Sequence, residues 1–218
     1  MNSYVTEQQQ IEQLKSWWKK YGNWLIFCIV AVLLVGSIIQ ALRHHHEKIL
    51  VHASDHYEWL LNAVESNNPQ MVQAQSRYIL KRYPNTPYAL FAALMQARLA
   101  VYNNDLSDAE DKLQYVIDRA NNLSLRQVAR LRLARIYLAE NKLDKGLEIL
   151  KTVDAPIYQA AISGVEGDIY YAKGDMKAAR EAYQNAVNNM SDAAPMQPLF
   201  QMKLDDLANN DMVRLTTS

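Results

Sequence analysis

The chain has little of what most enzymes use for catalysis. It contains one cysteine, Cys28, and five histidines that all lie between His44 and His56. The stretch from Tyr57 to Ser218 therefore has neither residue, which excludes Ser-His-Asp triads, Cys-His pairs and histidine-ligated zinc sites there. The six glycines form no phosphate-binding loop. We expect that the protein is not an enzyme and that it binds no cofactor and no small-molecule substrate.

The chain also lacks a large excess of either positive or negative charge. The chain has 23 Lys and Arg residues against 23 Asp and Glu residues, and from Glu47 onward the numbers are 19 and 21. A nucleic-acid-binding surface needs a basic excess to replace phosphate counterions, so we expect no nucleic-acid partner. The single cysteine excludes an internal disulfide in the large domain but leaves the cellular compartment open.

A long apolar run near the N-terminus is present. The 19 residues from Trp24 to Leu42 carry no charge, and as a helix they would span about 28 Å, close to the thickness of a bilayer core. A cleaved signal peptide, a lipoprotein anchor at Cys28 and a buried core helix are the alternatives, and each fits the residue pattern less well. We predict a transmembrane helix over residues 23–43, in contact with membrane lipid, after an amphipathic segment over residues 1–22.

Lysines favour one orientation of this helix. Lys15, Lys19 and Lys20 precede the span, whereas Arg43 and Lys48 follow it. Because positive charge near a span favours the cytoplasmic side, the N-terminus is predicted to be cytoplasmic and the large domain to lie across the membrane.

Aromatic residues surround the start of the span. Rings of this kind prefer the headgroup level of a bilayer. Two interpretations of the repeated apolar residues before the span stay open, a short interfacial helix and the mere beginning of the transmembrane helix. The aromatic belt consists of Trp17, Trp18, Tyr21 and Trp24, and the repeated residues are Ile11, Leu14, Trp18 and Tyr21.

Beyond Glu47 the pattern is that of amphipathic helices separated by short breaks. All six prolines lie in or beside these breaks, and no stretch alternates like a strand. Thr86-Pro87 predicts an N-cap followed by proline at the first helical position. The segments Ser107 to Glu110 and Ser124 to Gln127 predict capping boxes.

The helices repeat. A 33-residue offset aligns the segment from Gly167 with the one from Ala134, and a 37-residue offset aligns the latter with the segment from Ala97. A fainter copy places Ala74 and Tyr78 as a small residue followed by a large one. The small residues expected where helices cross are Ala97, Ala134 and Gly167 on first helices, and Ala109, Gly146 and Ala179 on second helices.

This spacing predicts a tetratricopeptide-like solenoid of helical hairpins. The fold class is therefore all-α, with a single N-terminal transmembrane helix before the solenoid. We place the solenoid at residues 44–210, with a capping helix from Pro198 to Asn209, and a flexible tail at 211–218.

Two clusters allow more than one interpretation. His45, His52 and His56 share one helix face and could bind a metal or sense pH, but interfacial side chains beside a span are the commoner case. A group of arginines forms either a solvated face or a surface for an anionic partner. Its members are Arg126, Arg130, Arg132 and Arg135.

First helices line the concave side of a tetratricopeptide fold, so their residues that point inward, toward the concave groove, are candidates for partner binding. We predict that an acidic segment with an apolar anchor binds there. The alternative is that the arginines pair with Asp168 or Glu166 and only hold repeats together. The candidates, which we call the first-helix surface, are Arg98, Val101, Arg135, Leu138, Asp168 and Tyr171.

Four segments of the sequence are similar to those of a known family. They are IEQLKSWWKKYGNWL before the span, LRLAR at Leu131 to Arg135, GVEGDIYYAKGDMKAAREAY from Gly164, and QMKLDDL from Gln201. In these segments the chain resembles the ancillary SecYEG translocon subunits of Gram-negative bacteria. The resemblance implies an inner-membrane protein with a periplasmic tetratricopeptide-like domain. The implied partners are the SecYEG translocon and a membrane-anchored periplasmic chaperone of the peptidyl-prolyl isomerase type.

The function expected from this resemblance is that of an adaptor that assists proteins emerging from the channel. An alternative is a structural scaffold for another envelope complex, such as a division or outer-membrane assembly machine. The histidine cluster after the span is not explained by the family's pattern.

Overall fold

The computed structural model describes residues 3–153, 156–190 and 194–216. Within these ranges the chain is helical and has no strand, which confirms the predicted all-α class. The helices are α1 (Ser3–Glu65), α2 (Pro69–Arg82), α3 (Pro87–Tyr102), α4 (Leu106–Arg119), α5 (Leu123–Ala139), α6 (Leu143–Lys151), a 3-10 turn (Pro156–Tyr158), α7 (Gln159–Ala172), α8 (Met176–Asn188) and α9 (Gln197–Thr216).

The chain divides into two compact units, Met1–His52 and Ala53–Ser218. In the first unit, α1 contains the one stretch in the described ranges that is long and apolar enough to cross a membrane. None of that stretch is buried by protein, and Trp24 and Phe27 are each 71% exposed. This agrees with one apolar N-terminal helix. The limits 23–43 and the orientation stay predictions.

The segment before the span is helical in its backbone from Ser3 onward. The side chains of residues 1–10 and of Leu14 lie outside the described residues. The choice between an interfacial helix and the mere start of the span therefore stays open. Farther along, the rings of Trp17 and Tyr21 lie 5.8 Å apart and both are exposed, as expected for an aromatic belt.

In its described residues, the second unit has four helical hairpins, the 3-10 turn and a capping helix. The last part of α1 pairs with α2, and α3–α4, α5–α6 and α7–α8 follow. Each hairpin turn contains one residue with positive φ, and these residues are spaced 37, 37 and 33 apart. They are Asn67 (φ 50°), Asn104 (φ 59°), Asn141 (φ 57°) and Gly174 (φ 79°).

Each of these turns closes its helix in the same way. The residue after Asn104, Asp105, donates its N–H to Ala100 O at 2.8 Å, and Asn104 donates to Val101 O at 3.0 Å. Equivalent pairs of bonds occur in the other three turns. This is the Schellman arrangement, which needs a residue that tolerates the left-handed conformation. Asparagine and glycine are the residues that do so at least cost.

Small residues lie where the helices cross, as predicted. A Cβ atom on Gly167 would lie 2.4 Å from the ring of Tyr183, and one on Gly146 would lie 2.8 Å from Ile169 Cδ1. Ala134 and Ala179 are fully buried. The close approach of neighbouring helices, within the last hairpin at Gly167 and between hairpins at Gly146, therefore depends on the absence of a larger side chain at these positions.

The predicted register of the first hairpin is wrong. Ala74 is exposed and Tyr78 is 45% exposed, so neither fills the small-then-large positions. The turn at Asn67 places Val72 and Ser76 at those positions, and both are buried. In this hairpin the large residue therefore precedes the small one, which explains why the repeat is hard to recognise here in the sequence.

Two of the three predicted helix starts are also wrong. The N-cap of α4 is Asp105, whose side chain accepts from Asp108 N at 3.0 Å, and not Ser107. The N-cap of α5 is Asn122, which accepts from Leu125 N at 3.1 Å, and not Ser124. In both cases a carboxylate or amide two residues earlier makes the cap bond, so the helix begins before the serine and the serine lies within its first turn.

The third helix start is confirmed in part. Thr86 is the N-cap of α3 with proline next to it, but its hydroxyl makes no cap bond and donates instead to Tyr83 O at 2.8 Å. The first turn of α3 therefore has no side-chain cap.

The capping helix α9 begins near the predicted position but extends beyond it, since its backbone is helical to Thr216. Phe200 and Leu207 are buried against α8. The ring of Phe200 occupies the space beside Gly164, where a Cβ atom would lie 2.3 Å away. The tail predicted for residues 211–218 stays a prediction, and residues 217–218 lie outside the described residues.

Candidate partner-binding surface

Two arginines of the first-helix surface are exposed and form no ion pair with any residue that the structure describes. Arg98 lies on α3 and Arg135 on α5, at equivalent positions after the buried Ala97 and Ala134. Neither forms a salt bridge with a described residue. The alternative that they pair with Asp168 or Glu166 therefore does not hold within the described part of the chain. Unpaired guanidinium groups are suited to bind a carboxylate.

Asp168 lies in a different setting from the arginines. Its Oδ1 accepts a hydrogen bond of 2.7 Å from Tyr183 Oη on α8 and another from Lys203 Nζ on α9. Burial and the Asp168 carboxylate raise the pKa of the Tyr183 phenol far above its usual range. Asp168 thus holds three helices together, and the structure does not bring it to the arginines.

The apolar members of the surface differ in exposure. Val101 is 46% exposed and Tyr171 48% exposed, whereas Leu138 is partly buried against the core between α5 and α7. The free part of the first-helix surface consists of Arg98, Val101, Arg135 and Tyr171, with Leu138 at its base.

Arg98 also lines a cavity of about 510 Å³. The cavity lies between α3 and the turn of the first hairpin, and its walls include Val64, Val72 and Met95. Tyr102 stands at the edge with 84% of its surface exposed. A guanidinium beside an apolar cavity matches the expected preference for an acidic segment with an apolar anchor.

Sequence reasoning missed the aromatic residues of this region. Tyr57 lies on the first helix of the first hairpin, with its ring 5.7 Å from that of Phe91 and 5.5 Å from that of Tyr88. The 37-residue period relates Tyr57 to the buried Leu94 and not to a member of the first-helix surface, so the repeat gives no signal for Tyr57. Tyr102 directly follows Val101 and is the last residue of α3.

The arginine cluster is divided between two settings. Arg130 donates from Nη1 to Thr152 O at 2.9 Å and to Gln127 Oε1 at 3.2 Å, so it ties α5 to the end of α6. Arg126 is half-buried. Arg132 and Arg135 are exposed. The cluster is thus not one solvated face, and only its second half is available to a partner.

The histidines do not converge. In the described ranges there is no group of three His, Cys, Asp or Glu side chains that could hold a metal ion. His56 instead bonds through Nδ1 to Gln75 Oε1 at 3.1 Å, and its ring lies 4.7 Å from Trp59 and 4.2 Å from Tyr78. His45 and His52 are exposed. The metal interpretation of the cluster is therefore not supported.

Comparison with known proteins gives consistent matches. The family described as a tetratricopeptide repeat-like domain matches residues 15–209. Proteins named ancillary SecYEG translocon subunit match nearly the whole chain. The one from Aggregatibacter actinomycetemcomitans is 32% identical over 93% of this chain and 98% of its own. The one from Haemophilus influenzae is 30% identical over the same shares. The one from Escherichia coli K12 is 28% identical over 95% and 100%.

These matches include the span region, the hairpins and α9, and they agree with the helical hairpins seen in the second unit. The chain belongs to the family of ancillary SecYEG translocon subunits, with a tetratricopeptide repeat-like domain over most of its length.

Proposed function

We propose that the protein is a membrane-anchored adaptor of the SecYEG translocon and acts through protein–protein binding rather than catalysis. The observation that carries this proposal is the similarity, over nearly the full chain, to relatives named ancillary SecYEG translocon subunit. A tetratricopeptide-like fold supports it, because stacked hairpins present extended binding surfaces. The adaptor would work with a membrane-anchored periplasmic chaperone of the peptidyl-prolyl isomerase type and assist proteins as they emerge.

The mechanism is one of local concentration. A span in the membrane of the channel keeps the binding domain close to each emerging chain, which raises its effective concentration without new contacts. The free first-helix surface, with Arg98 and Arg135 beside Val101 and Tyr171, is the binding site we propose for an acidic segment with an apolar side chain.

The proposed location is the bacterial inner membrane, with a single pass, a cytoplasmic N-terminus and a periplasmic second unit. Three lysines before the span support this orientation. A reporter enzyme that is active only outside the cytoplasm, fused after Ser218, should be active. An inactive reporter in a fusion of normal abundance would reverse the orientation.

Affinity capture tests the adaptor role itself. The full-length protein, crosslinked in cells and solubilised in detergent, should bring down the channel subunits and the chaperone. A scaffold for a division or outer-membrane assembly complex would instead bring down components of that complex without the channel. Recovery of the second set alone would overturn the proposal.

A further inference from the structure

A groove of about 730 Å³ lies at the side of the second unit where successive hairpins connect. Its floor consists of Leu90 and Phe91 from the start of α3 and of Leu125 and Val128 from the start of α5. The side chain of Phe91 is still 37% exposed. This volume lies in the range of sites that hold a small ligand or a few residues of a peptide.

Among the described residues that line the groove, one is charged, Arg119 at the end of α4, and none carries a carboxylate. Arg119 is exposed and forms no salt bridge with a described residue. The first turns of α3 and α5, which border the groove, contain no acidic residue either. The positive ends of these two helix dipoles therefore add to the charge of Arg119.

Arg119 is held in place by its neighbours. Its guanidinium carbon lies 4.3 Å from the centre of the Tyr115 ring, a cation–π contact that restricts the side chain. Tyr115 is fixed in turn, because its hydroxyl donates to Pro84 O at 2.9 Å. Pro84 belongs to the groove wall. The hydrogen bond from Tyr115 to Pro84 joins α4 to the connection before α3 and thereby orients the Arg119 guanidinium at the rim of the groove. The position of this cation is therefore set before a partner binds.

From this geometry we propose that the groove binds an extended peptide segment in which an apolar side chain is followed by a carboxylate. The apolar side chain occupies the floor between Phe91 and Val128, and the carboxylate pairs with Arg119. The side-chain amides of Asn85 and Asn121 lie along the walls and can bond to peptide backbone. The groove shares no residue with the first-helix surface, so this inference does not rest on the proposed function.

The probe is a fluorescein-labelled peptide, Gly-Ser-Leu-Phe-Asp-Gly-Ser-amide, and binding is measured by fluorescence anisotropy to the full-length protein in detergent micelles. A second peptide has Asn in place of Asp, and a third has Ser in place of Leu and Phe. The first peptide should bind, the second should bind about tenfold more weakly because one charge-assisted pair is lost, and the third should not bind.

Two substitutions test the site. Arg119→Met removes the cation but keeps the length of the side chain, and should weaken binding of the Asp peptide about tenfold while leaving the Asn peptide unchanged. Ser124→Glu places a carboxylate in the first turn of α5, where it favours the helix but repels the acidic peptide. The control is Ser107→Glu, which stands at the equivalent exposed position of α4, outside the groove.

Each outcome decides the question. Circular dichroism first establishes that the variants are helical, and Ser124→Glu keeps the test valid if Arg119→Met does not fold. Weaker binding of the Asp peptide by Arg119→Met and by Ser124→Glu, with Ser107→Glu unchanged, supports the groove. No binding by the unchanged protein, equal binding of the Asp and Asn peptides, or equal binding by all variants would overturn the proposal. None of these results bears on capture of the channel, so the two proposals fail separately.

Discussion

Tyr183 on α8 donates a hydrogen bond of 2.7 Å to Asp168 on α7. Its ring also fills the space beside Gly167, the residue that precedes Asp168 on α7. One side chain of α8 therefore holds α7 by a polar and an apolar contact within one helical turn. Lys203 of α9 binds the same carboxylate. The last hairpin and the capping helix thus meet at Asp168, and their stability should depend on these groups together.

Substitution of the Tyr183 hydroxyl tests this joint. Tyr183→Phe keeps the ring in place and removes the bond to Asp168, which should lower the free energy of unfolding by about 1 kcal/mol. Urea unfolding of the full-length protein in micelles, followed by circular dichroism, measures the loss. Tyr102→Phe is the control, because Tyr102 is 84% exposed. In a double-mutant cycle with Asp168→Asn the two losses should not add, and simple additivity would show that the bond contributes nothing.

Overpacking at Ala179 tests the helix crossing. Ala179 is fully buried between α7 and α8, so Ala179→Leu should force the helices apart and cost about 1 to 3 kcal/mol. The expected result is a lower melting temperature in a thermal scan of the full-length protein. Gln184→Leu, at an exposed position of the same helix, should leave the melting temperature nearly unchanged. Equal melting temperatures for both variants would mean that the assigned crossing is wrong.

The hairpin turns give a test with a neighbouring control. Asn104 has a φ of 59°, whereas Asn103 beside it has a φ of −83°. Asn104→Ala should cost about 1 kcal/mol, because alanine is strained in the left-handed region, and Asn104→Gly should be close to neutral. Asn103→Ala should have little effect. If alanine is tolerated equally at both positions, the turn does not have the Schellman geometry described above.

These turns also show what the sequence could and could not predict. The small residues Ala134 and Gly167 repeat at regular spacing and predicted the crossings, because packing allows few alternatives there. The period of Asn67, Asn104, Asn141 and Gly174 is equally regular, and it would have set the register of the first hairpin. It was missed because turn residues do not contribute to an apolar pattern.

Other features cannot be read from a repeat. Asp168 occupies the position of Arg98 and Arg135 in its hairpin, and the sequence therefore suggested the same role for all three. Its partner Lys203 lies 35 residues farther along, on a helix that follows the last hairpin. The groove beside Arg119 is likewise formed by connections that differ in length and sequence, so it becomes evident only from the packed structure.

Acid should weaken the contact between Glu110 and Lys142, which joins the second and third hairpins. Burial raises the pKa of Glu110, but hydrogen bonds from Lys142 and Tyr137 and the charges of Lys142 and Lys145 outweigh burial and lower the pKa below its usual value. A lowered pKa in the folded state means that the ionised carboxylate stabilises the protein above its unfolded pKa. That contribution disappears as the pH falls through the folded value.

The test compares Glu110→Gln with the unchanged protein at several pH values. At pH 7 the variant should be less stable by about 1 kcal/mol, and the difference should shrink as the pH falls through the folded pKa of Glu110, where the carboxylate of the unchanged protein becomes protonated. Chemical unfolding of both proteins at each pH measures this difference in the free energy of unfolding. Glu181→Gln, an exposed position on α8, serves as the control. A difference that persists unchanged into acid would show that the charge of Glu110 has no part in the link.

The last prediction concerns the partner of the first-helix surface. Arg98→Glu combined with Arg135→Glu should reduce capture of the channel or of the chaperone at least tenfold, because two cations that we propose to bind an acidic segment become repulsive. Both side chains are exposed and unpaired in the described structure, so the fold should persist, which circular dichroism verifies.

The matched control is Lys151→Glu combined with Lys177→Glu, which makes the same change in net charge at exposed positions on second helices. Affinity capture from cells at equal abundance, with quantification of the recovered subunits, compares the two double variants. Reduced capture by the control as well would indicate a general effect of charge, and full capture by both would move the binding site away from the first helices, to the second helices or the span.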